Sequence, residues 1–166
     1  MTYAVRKISR PKWEVKTELG PDSIQADAIT SDLRTKGNSL SLWECRSLGS
    51  LGEVALALAA SMDQAEKIDI AWVEIDLLHE NDFALKRTEG NTPIEDLRDK
   101  HIDVVDLDLH KLGKVATILA NCIRRKGHFR RFRRSEVKEI LRKALRENRF
   151  PVNKLGTRLR EELNIS

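Results

Sequence analysis

The sequence is poor in cysteine, histidine and aromatic residues. It has two cysteines, Cys45 and Cys122, four histidines, and an aromatic fraction of 5% over 166 residues. The cysteines lie far apart and form no Cys-x-x-Cys pair, so the sequence offers neither a disulfide framework nor a zinc knuckle. This usage is typical of a reducing compartment. We therefore expect a cytoplasmic protein with no cofactor.

Long apolar runs and the common catalytic motifs are also absent. No stretch approaches the ~18 apolar residues of a transmembrane helix, and the first residues lack the apolar core of a signal peptide, so we expect no membrane partner. The sequence has no P-loop, no Gly-x-Gly-x-x-Gly, no Gly-x-Ser-x-Gly and no His-Glu-x-x-His. These absences disfavour NTPases, dinucleotide enzymes, serine hydrolases and zinc proteases, and they favour a protein without enzymatic activity.

Charge is abundant, and its two signs are separated along the chain. Residues 21–110 hold eight Lys/Arg and nineteen Asp/Glu, net −11, whereas residues 111–166 hold seventeen Lys/Arg and five Asp/Glu, net +12. Such asymmetry indicates a polyanionic partner, or an acidic partner that can be the protein's own body.

The apolar pattern predicts a mixed α/β or α+β fold. Four segments have the pattern of strands: residues 3–8, 39–46, 68–78 and 102–107. Ser50 and Glu53 have the spacing of a capping box, and the helix that follows them reaches about Lys67. Strand, helix and strand over about 40 residues have the length of a parallel crossover. We expect a small mixed sheet of three to five strands, containing one β-α-β unit and flanked by helices.

The C-terminal residues predict a basic helical pair. Gly127 marks a boundary between an acidic body, residues 1–127, and a basic segment, residues 128–166, which can also pack on the body as one domain. Ser135 is expected to cap one helix, and Pro151 fits the first turn of the last. The pair fits a helix-turn-helix, or a helical hairpin packed on the sheet or on another subunit.

The basic run around residues 124–134 carries the strongest functional signal. Arginine forks bind phosphates in a bidentate way, and interleaved aromatic rings stack on unpaired bases. The candidate nucleic-acid-binding residues are Arg124, Arg125, Lys126, Phe129, Arg130, Arg131, Phe132, Arg133, Arg134, Lys154, Arg158 and Arg160. Two other interpretations remain open. In the first, the cations stabilise the C-terminus of a helix, and Phe129 and Phe132 anchor the chain to the core. In the second, the basic segment docks on the acidic body.

Two pairs of carboxylates are candidates for Mg²⁺ ligation. Glu74 and Asp76 alternate along a predicted strand and so share a face, while Asp106 and Asp108 precede a predicted helix. Oxygen ligands of this kind serve phosphodiester hydrolysis. Helix capping accounts equally well for the second pair, so no metal site is assigned.

The sequence thus leaves three function classes open. The first is a non-enzymatic protein that binds the phosphate backbone of DNA or RNA through its basic C-terminal third. The second is a protein-interaction module, such as an antitoxin-like or immunity-like neutraliser or an assembly subunit. Its acidic and basic faces would bind an oppositely charged protein or a second copy of itself. The third is a metal-dependent nuclease.

Overall fold

A computed structural model describes residues 1–165. Six strands form one sheet in the order β4-β5-β2-β1-β3-β6, and every neighbouring pair is antiparallel. The strands are β1 Tyr3–Ile8, β2 Leu40–Cys45, β3 Ile68–Glu74, β4 Ala84–Arg87, β5 His101–Val105 and β6 Phe129–Phe132. The helices are α1 Leu51–Ala59, α2 Ile75–Glu80, α3 Glu95–Arg98, α4 Leu109–Arg125, α5 Arg134–Arg146 and α6 Thr157–Leu163. None of these helices is long and apolar enough to cross a membrane.

The mixed class with flanking helices is confirmed, but the sheet is larger than expected and its β-α-β unit is split. Strands β2 and β3 run parallel, with α1 between them along the chain, because each is antiparallel to β1. β1 lies between them, so they are not neighbours as a simple crossover requires. Buried Val5 and Ala4 lie on opposite faces of β1, which suits this strand to a central position.

Helices cover both faces of the sheet. One apolar cluster joins α1, α5 and α6 to Val5, Ile68 and Ile70 on the first face. The other joins α4 to Leu40 and Val104 on the second face. Asp108 caps the start of α4. The apolar side chains of this helix lie along one side, and that side is buried against the sheet.

Two predicted element ends are wrong. α1 ends at Ala59 rather than near Lys67, and the Ser50 side chain does not cap it, since its hydroxyl lies 3.0 Å from that of Ser47. β3 ends at Glu74, and α2 begins at once, although the Ile75 N–H still extends the ladder with β1 by donating to the Thr2 carbonyl at 2.9 Å. A strand to residue 78 is therefore interrupted by a turn of helix.

The basic run forms a strand that the sequence pattern does not predict. β6 pairs with β3, with Phe132 opposite Ile68, and α5 then packs on α1. The residues after Gly127 thus supply an edge strand and a covering helix to the same sheet. Gly127 makes this turn with a positive φ of 67°.

The last two helices turn their apolar sides to the core. Val137 and Leu141 of α5 and Leu159 and Leu163 of α6 are buried in the first-face cluster. The predicted starts of both helices are wrong: Ser135 lies inside α5, which begins at Arg134 after Arg133, and α6 begins at Thr157 rather than at Pro151. Gly156 is the residue that immediately precedes this helix.

Candidate phosphate-binding surface

Several cations of the basic run hold the fold together. The Arg124 guanidinium donates from Nε to the Trp13 carbonyl and from Nη2 to the Ser23 carbonyl, both at 2.8 Å. These contacts tie the end of α4 to the N-terminal segment. Arg124 therefore has two of its donors engaged inside the protein.

Arg131 is paired with Asp69 across strands β6 and β3. Its Nε lies 2.7 Å from Oδ1 and its Nη2 lies 2.9 Å from Oδ2 of Asp69, whose side chain is 4% exposed. Burial alone would raise the pKa of Asp69. Hydrogen bonds from Arg131 and the Arg10 N–H, together with the charges of Arg131 and Lys67, hold that pKa below its usual value.

The two phenylalanines of the run anchor the edge strand. Phe132 is 1% exposed, and the Arg130 guanidinium lies 4.3 Å from its ring centroid. Phe129 is half-buried, with the Arg10 guanidinium 4.6 Å from its ring centroid. This geometry favours core anchoring over stacking of bases on these rings.

Four exposed cations of the run keep more freedom. Two of them form only long ion pairs: Arg125 Nη2 lies 3.7 Å from Asp22 Oδ1, and Lys126 Nζ lies 3.7 Å from Glu74 Oε2. Arg130 and Arg133 form no ion pair within residues 1–165. These side chains are open to an external anion.

Three cations meet at one carboxylate beside the start of α5. Arg134 Nη2 lies 3.0 Å, and Lys138 Nζ 3.9 Å, from Oε2 of Glu162, while Arg158 Nε lies 3.9 Å from its Oε1. The Ala65 N–H also donates to Oε2 at 3.1 Å. The hydrogen bond from Arg134 is the main cause that lowers the pKa of Glu162. The cluster keeps a net positive charge, because one carboxylate faces three cations.

A groove of about 580 Å³ opens over this cluster. Its lining residues are Gln64, Ala65, Glu66, Lys67, Arg134 and Arg158. We call the groove and its supporting pair, Lys138 and Glu162, the basic groove. The Arg134 and Arg158 side chains are 59% and 69% exposed, while that of Glu162 is 16% exposed. The carboxylate therefore lies beneath two guanidinium groups that face solvent.

The sequence singled out only part of this site. It named Arg134 and Arg158 but missed Lys67, Lys138 and Glu162. Charge spacing gives no hint that residue 162 lies next to residues 65 and 134. The four-residue spacings of Arg134 to Lys138 and Arg158 to Glu162 are the only local signals.

The remaining cations of the last segment lie outside the basic groove. Lys154 is exposed on a short 3₁₀ turn, Val152–Lys154, and makes no ion pair within the described residues. Arg160 is half-buried, and its Nη2 donates to the Thr157 hydroxyl at 3.3 Å. Residues 147–156 connect α5 to α6, and this connection is longer than the turn of a helix-turn-helix.

The candidate metal ligands do not converge. Glu74 ends β3, whereas Asp76 lies on α2, so the two do not share a strand face. Asp108 accepts the Lys111 N–H at 2.7 Å as the cap of α4, and Asp106 is an exposed residue with a φ of 56°. Within residues 1–165 no three His, Cys, Asp or Glu side chains are placed to hold a metal ion.

A polar network that the sequence did not suggest joins β5 to Thr88, the residue that follows β4. The Thr88 hydroxyl donates to Asp103 Oδ2 at 2.9 Å and lies 2.7 Å from His101 Nδ1. Because the single hydroxyl proton goes to the carboxylate, Nδ1 must donate to Thr88. Burial, with an opposing effect of Asp103, lowers the pKa of His101. The histidine thus donates to the hydroxyl instead of accepting its proton, which is not the arrangement of an activated nucleophile.

No protein-family model, no curated protein sequence and no solved structure matches this chain.

Proposed function

We propose that this protein binds the phosphate backbone of nucleic acid through the basic groove and the neighbouring exposed arginines, Arg130 and Arg133. The observation that carries the proposal is the meeting of Arg134, Lys138 and Arg158 at the single carboxylate of Glu162. A cluster with excess positive charge beside an open groove attracts polyanions.

The geometry of the guanidinium groups supports phosphate as the ligand. Glu162 contacts Arg134 and Arg158 from the protein side, so their outward N–H groups remain free for a second anion. A guanidinium binds phosphate oxygens in pairs when its orientation is fixed. The carboxylate therefore acts as a positioning residue in this proposal.

The burial of the aromatic rings favours backbone binding over base recognition. Phe132 is covered and Phe129 is half-buried, so the run presents no free stacking platform for single strands. We therefore propose a duplex as the preferred form, bound without base contacts.

Fluorescence anisotropy with labelled duplex and single-stranded DNA and RNA tests the proposal across a salt series. We expect the affinity for duplex to fall with salt with a log–log slope of about −0.9 per neutralised phosphate. The double variant Arg134→Gln/Arg158→Gln should weaken binding. It should also make the slope shallower by the amount that corresponds to about two lost phosphate contacts.

The matched control removes two positive charges elsewhere. Arg34 and Lys36 lie on an exposed loop and form no ion pair within the described residues, so the variant Arg34→Gln/Lys36→Gln has the same net charge. It should retain most of the affinity. Equal losses in the two double variants, or no binding at low salt, would contradict the proposal.

An acidic protein surface is the second candidate ligand. The observation that favours it is Glu162 itself, because the basic groove already accommodates a carboxylate. Binding of polyglutamate with no binding of duplex, tested in the same assay, would select this candidate.

A further inference from the structure

A second concave site lies on the same face of the sheet, away from the basic groove. It is a pocket of about 270 Å³ between the end of β2, α1 and α3. Its apolar walls are Trp43, Val54, Ala57 and Leu97, with Cys45 beside them. The proposed nucleic-acid binding makes no use of this pocket.

The flat wall of the pocket is held rigidly. The Trp43 indole makes an edge-to-face contact with His101, with 5.2 Å between ring centroids and an interplanar angle of 81°. The backbone of Gly90 also lies close against the indole, since a Cβ at this position would be only 2.5 Å from Cη2 of Trp43. A fixed aromatic wall favours a ligand with a flat apolar body.

Each carboxylate at the rim of the pocket is already paired with an arginine. Arg149 Nη2 lies 2.7 Å from Glu53 and 2.6 Å from Asp96. Glu44 is paired with Arg87. Each of these three acids therefore has a guanidinium partner, which Glu53 and Asp96 share.

Among residues 1–165, the one charged side chain of the rim without an ion-pair partner is an arginine. Arg46 lines the pocket, is exposed, and makes no hydrogen bond or ion pair within residues 1–165. The other cation of the rim, Lys100, lies 2.9 Å from Asp99. An anionic group at the mouth would find Arg46 available as a charged donor.

We propose that this pocket binds a small planar apolar molecule carrying one anionic group, with its ring against Trp43 and its anion at Arg46. The volume is just below the roughly 300–1,000 Å³ of drug-sized sites, so it fits one aromatic or fused-ring system with a short acidic chain. Apolar contact supplies the affinity, and Arg46 supplies the preference for an anion.

Three probes with the same ring test this preference: indole-3-acetate, indole-3-acetamide and tryptamine. Each is titrated into the full chain labelled with ¹⁵N, and the indole N–H signal of Trp43 is followed after its assignment with Trp43→Phe. We expect saturable shifts of this signal with indole-3-acetate. The affinity for the neutral amide should be about fivefold lower, the size of a partly exposed ion pair, and that for the amine lower still.

Two matched arginine variants separate the role of Arg46 from net charge. Arg46→Gln should lower the affinity for indole-3-acetate to that of the amide, whereas Arg34→Gln should leave it unchanged. No saturable shift of the Trp43 signal at millimolar indole-3-acetate overturns the pocket as a binding site. Equal affinities for the three probes, or tighter binding of tryptamine, overturn the anion preference.

Discussion

Arg131 and Asp69 face each other across strands β6 and β3 and share two hydrogen bonds, Nε to Oδ1 at 2.7 Å and Nη2 to Oδ2 at 2.9 Å. Asp69 is nearly inaccessible, and it also accepts the Arg10 N–H at 3.4 Å. The centre of the basic run is therefore a tether that holds an edge strand on the sheet. Positive charge on an edge strand also discourages pairing with other chains.

Replacing Arg131 by Gln should destabilise the protein, because Asp69 would remain buried without its bidentate partner. We expect the Tm to fall by several degrees in circular dichroism melts. Arg133→Gln is the control, since the Arg133 side chain is exposed and forms no ion pair within residues 1–165. Equal melting temperatures for the two variants would show that the pair does not stabilise β6.

The same pair predicts an acid-dependent loss of stability. The folded-state pKa of Asp69 is lowered, so its contribution is present above the unfolded value of about 3.9 and is lost as the pH falls through the folded pKa. The difference in unfolding free energy between the wild type and Arg131→Gln should therefore shrink towards low pH. Urea titrations at pH 7 and at several acidic values measure it, and a difference independent of pH would count against this account.

Replacing Glu162 by Gln tests the positioning role of this residue in the basic groove. Glu161→Gln changes the net charge equally at an exposed neighbour that forms no ion pair among residues 1–165. The loss of an acid alone should raise duplex affinity in both variants. Because Glu162→Gln also frees the two arginines from their anchor, we expect it to bind about twofold more weakly than Glu161→Gln. Tighter binding by Glu162→Gln would instead show that the carboxylate competes with phosphate.

The Phe132 ring should matter for stability and not for phosphate binding. Phe132→Ala removes a fully buried ring and should cost about 3–5 kcal/mol of unfolding free energy. Phe129→Ala should cost less, because Phe129 is only half-buried. Both costs are measured by urea denaturation. At temperatures where the variants remain folded, the salt slope of duplex binding should match the wild type, and a changed slope would argue for direct ring contacts.

Two glycine substitutions should have opposite signs. Gly90→Ala places a methyl group against the fixed Trp43 indole and should cost about 1–3 kcal/mol. Gly113→Ala lies within α4 with nothing within 4 Å of the new Cβ, and it should stabilise the protein by about 0.5–1 kcal/mol. Thermal melts of both variants check this, and a neutral Gly90→Ala would mean that the indole moves aside.

The sequence predicted elements whose own pattern is strong. β1, β2, α4 and α5 lie close to their expected bounds, because alternation or a helical apolar stripe defines each of them. β6 was missed because Phe-Arg-Arg-Phe does not alternate, and its strand conformation depends on pairing with β3 and on Asp69. Strand order was also out of reach, since local pattern does not show that β1 lies between β2 and β3.

The sequence predicts which residue types form the candidate site, but it does not predict how they are arranged in space. The charge of Arg134 and Arg158 is visible in the sequence, whereas their meeting at Glu162 depends on how α6 folds back on α5. Conversely, Arg124 and Arg131 look like free cations in the sequence, yet both are engaged in holding segments of the fold. Tertiary contacts decide which arginines of a basic run are available.

The central position of β1 has a consequence for biosynthesis. As the chain leaves the ribosome, β1 is already available when β2 and then β3 are synthesised, so each can pair with it at once. β5 can then pair with β2 on one side and with β4 on the other. The nascent sheet can therefore grow outward in both directions from its oldest strand. The last strand to arrive is β6, so until residues 129–146 emerge, the outer edge of β3 and the side of α1 that packs on α5 remain uncovered. A nascent chain halted before that point is the species most in need of a chaperone.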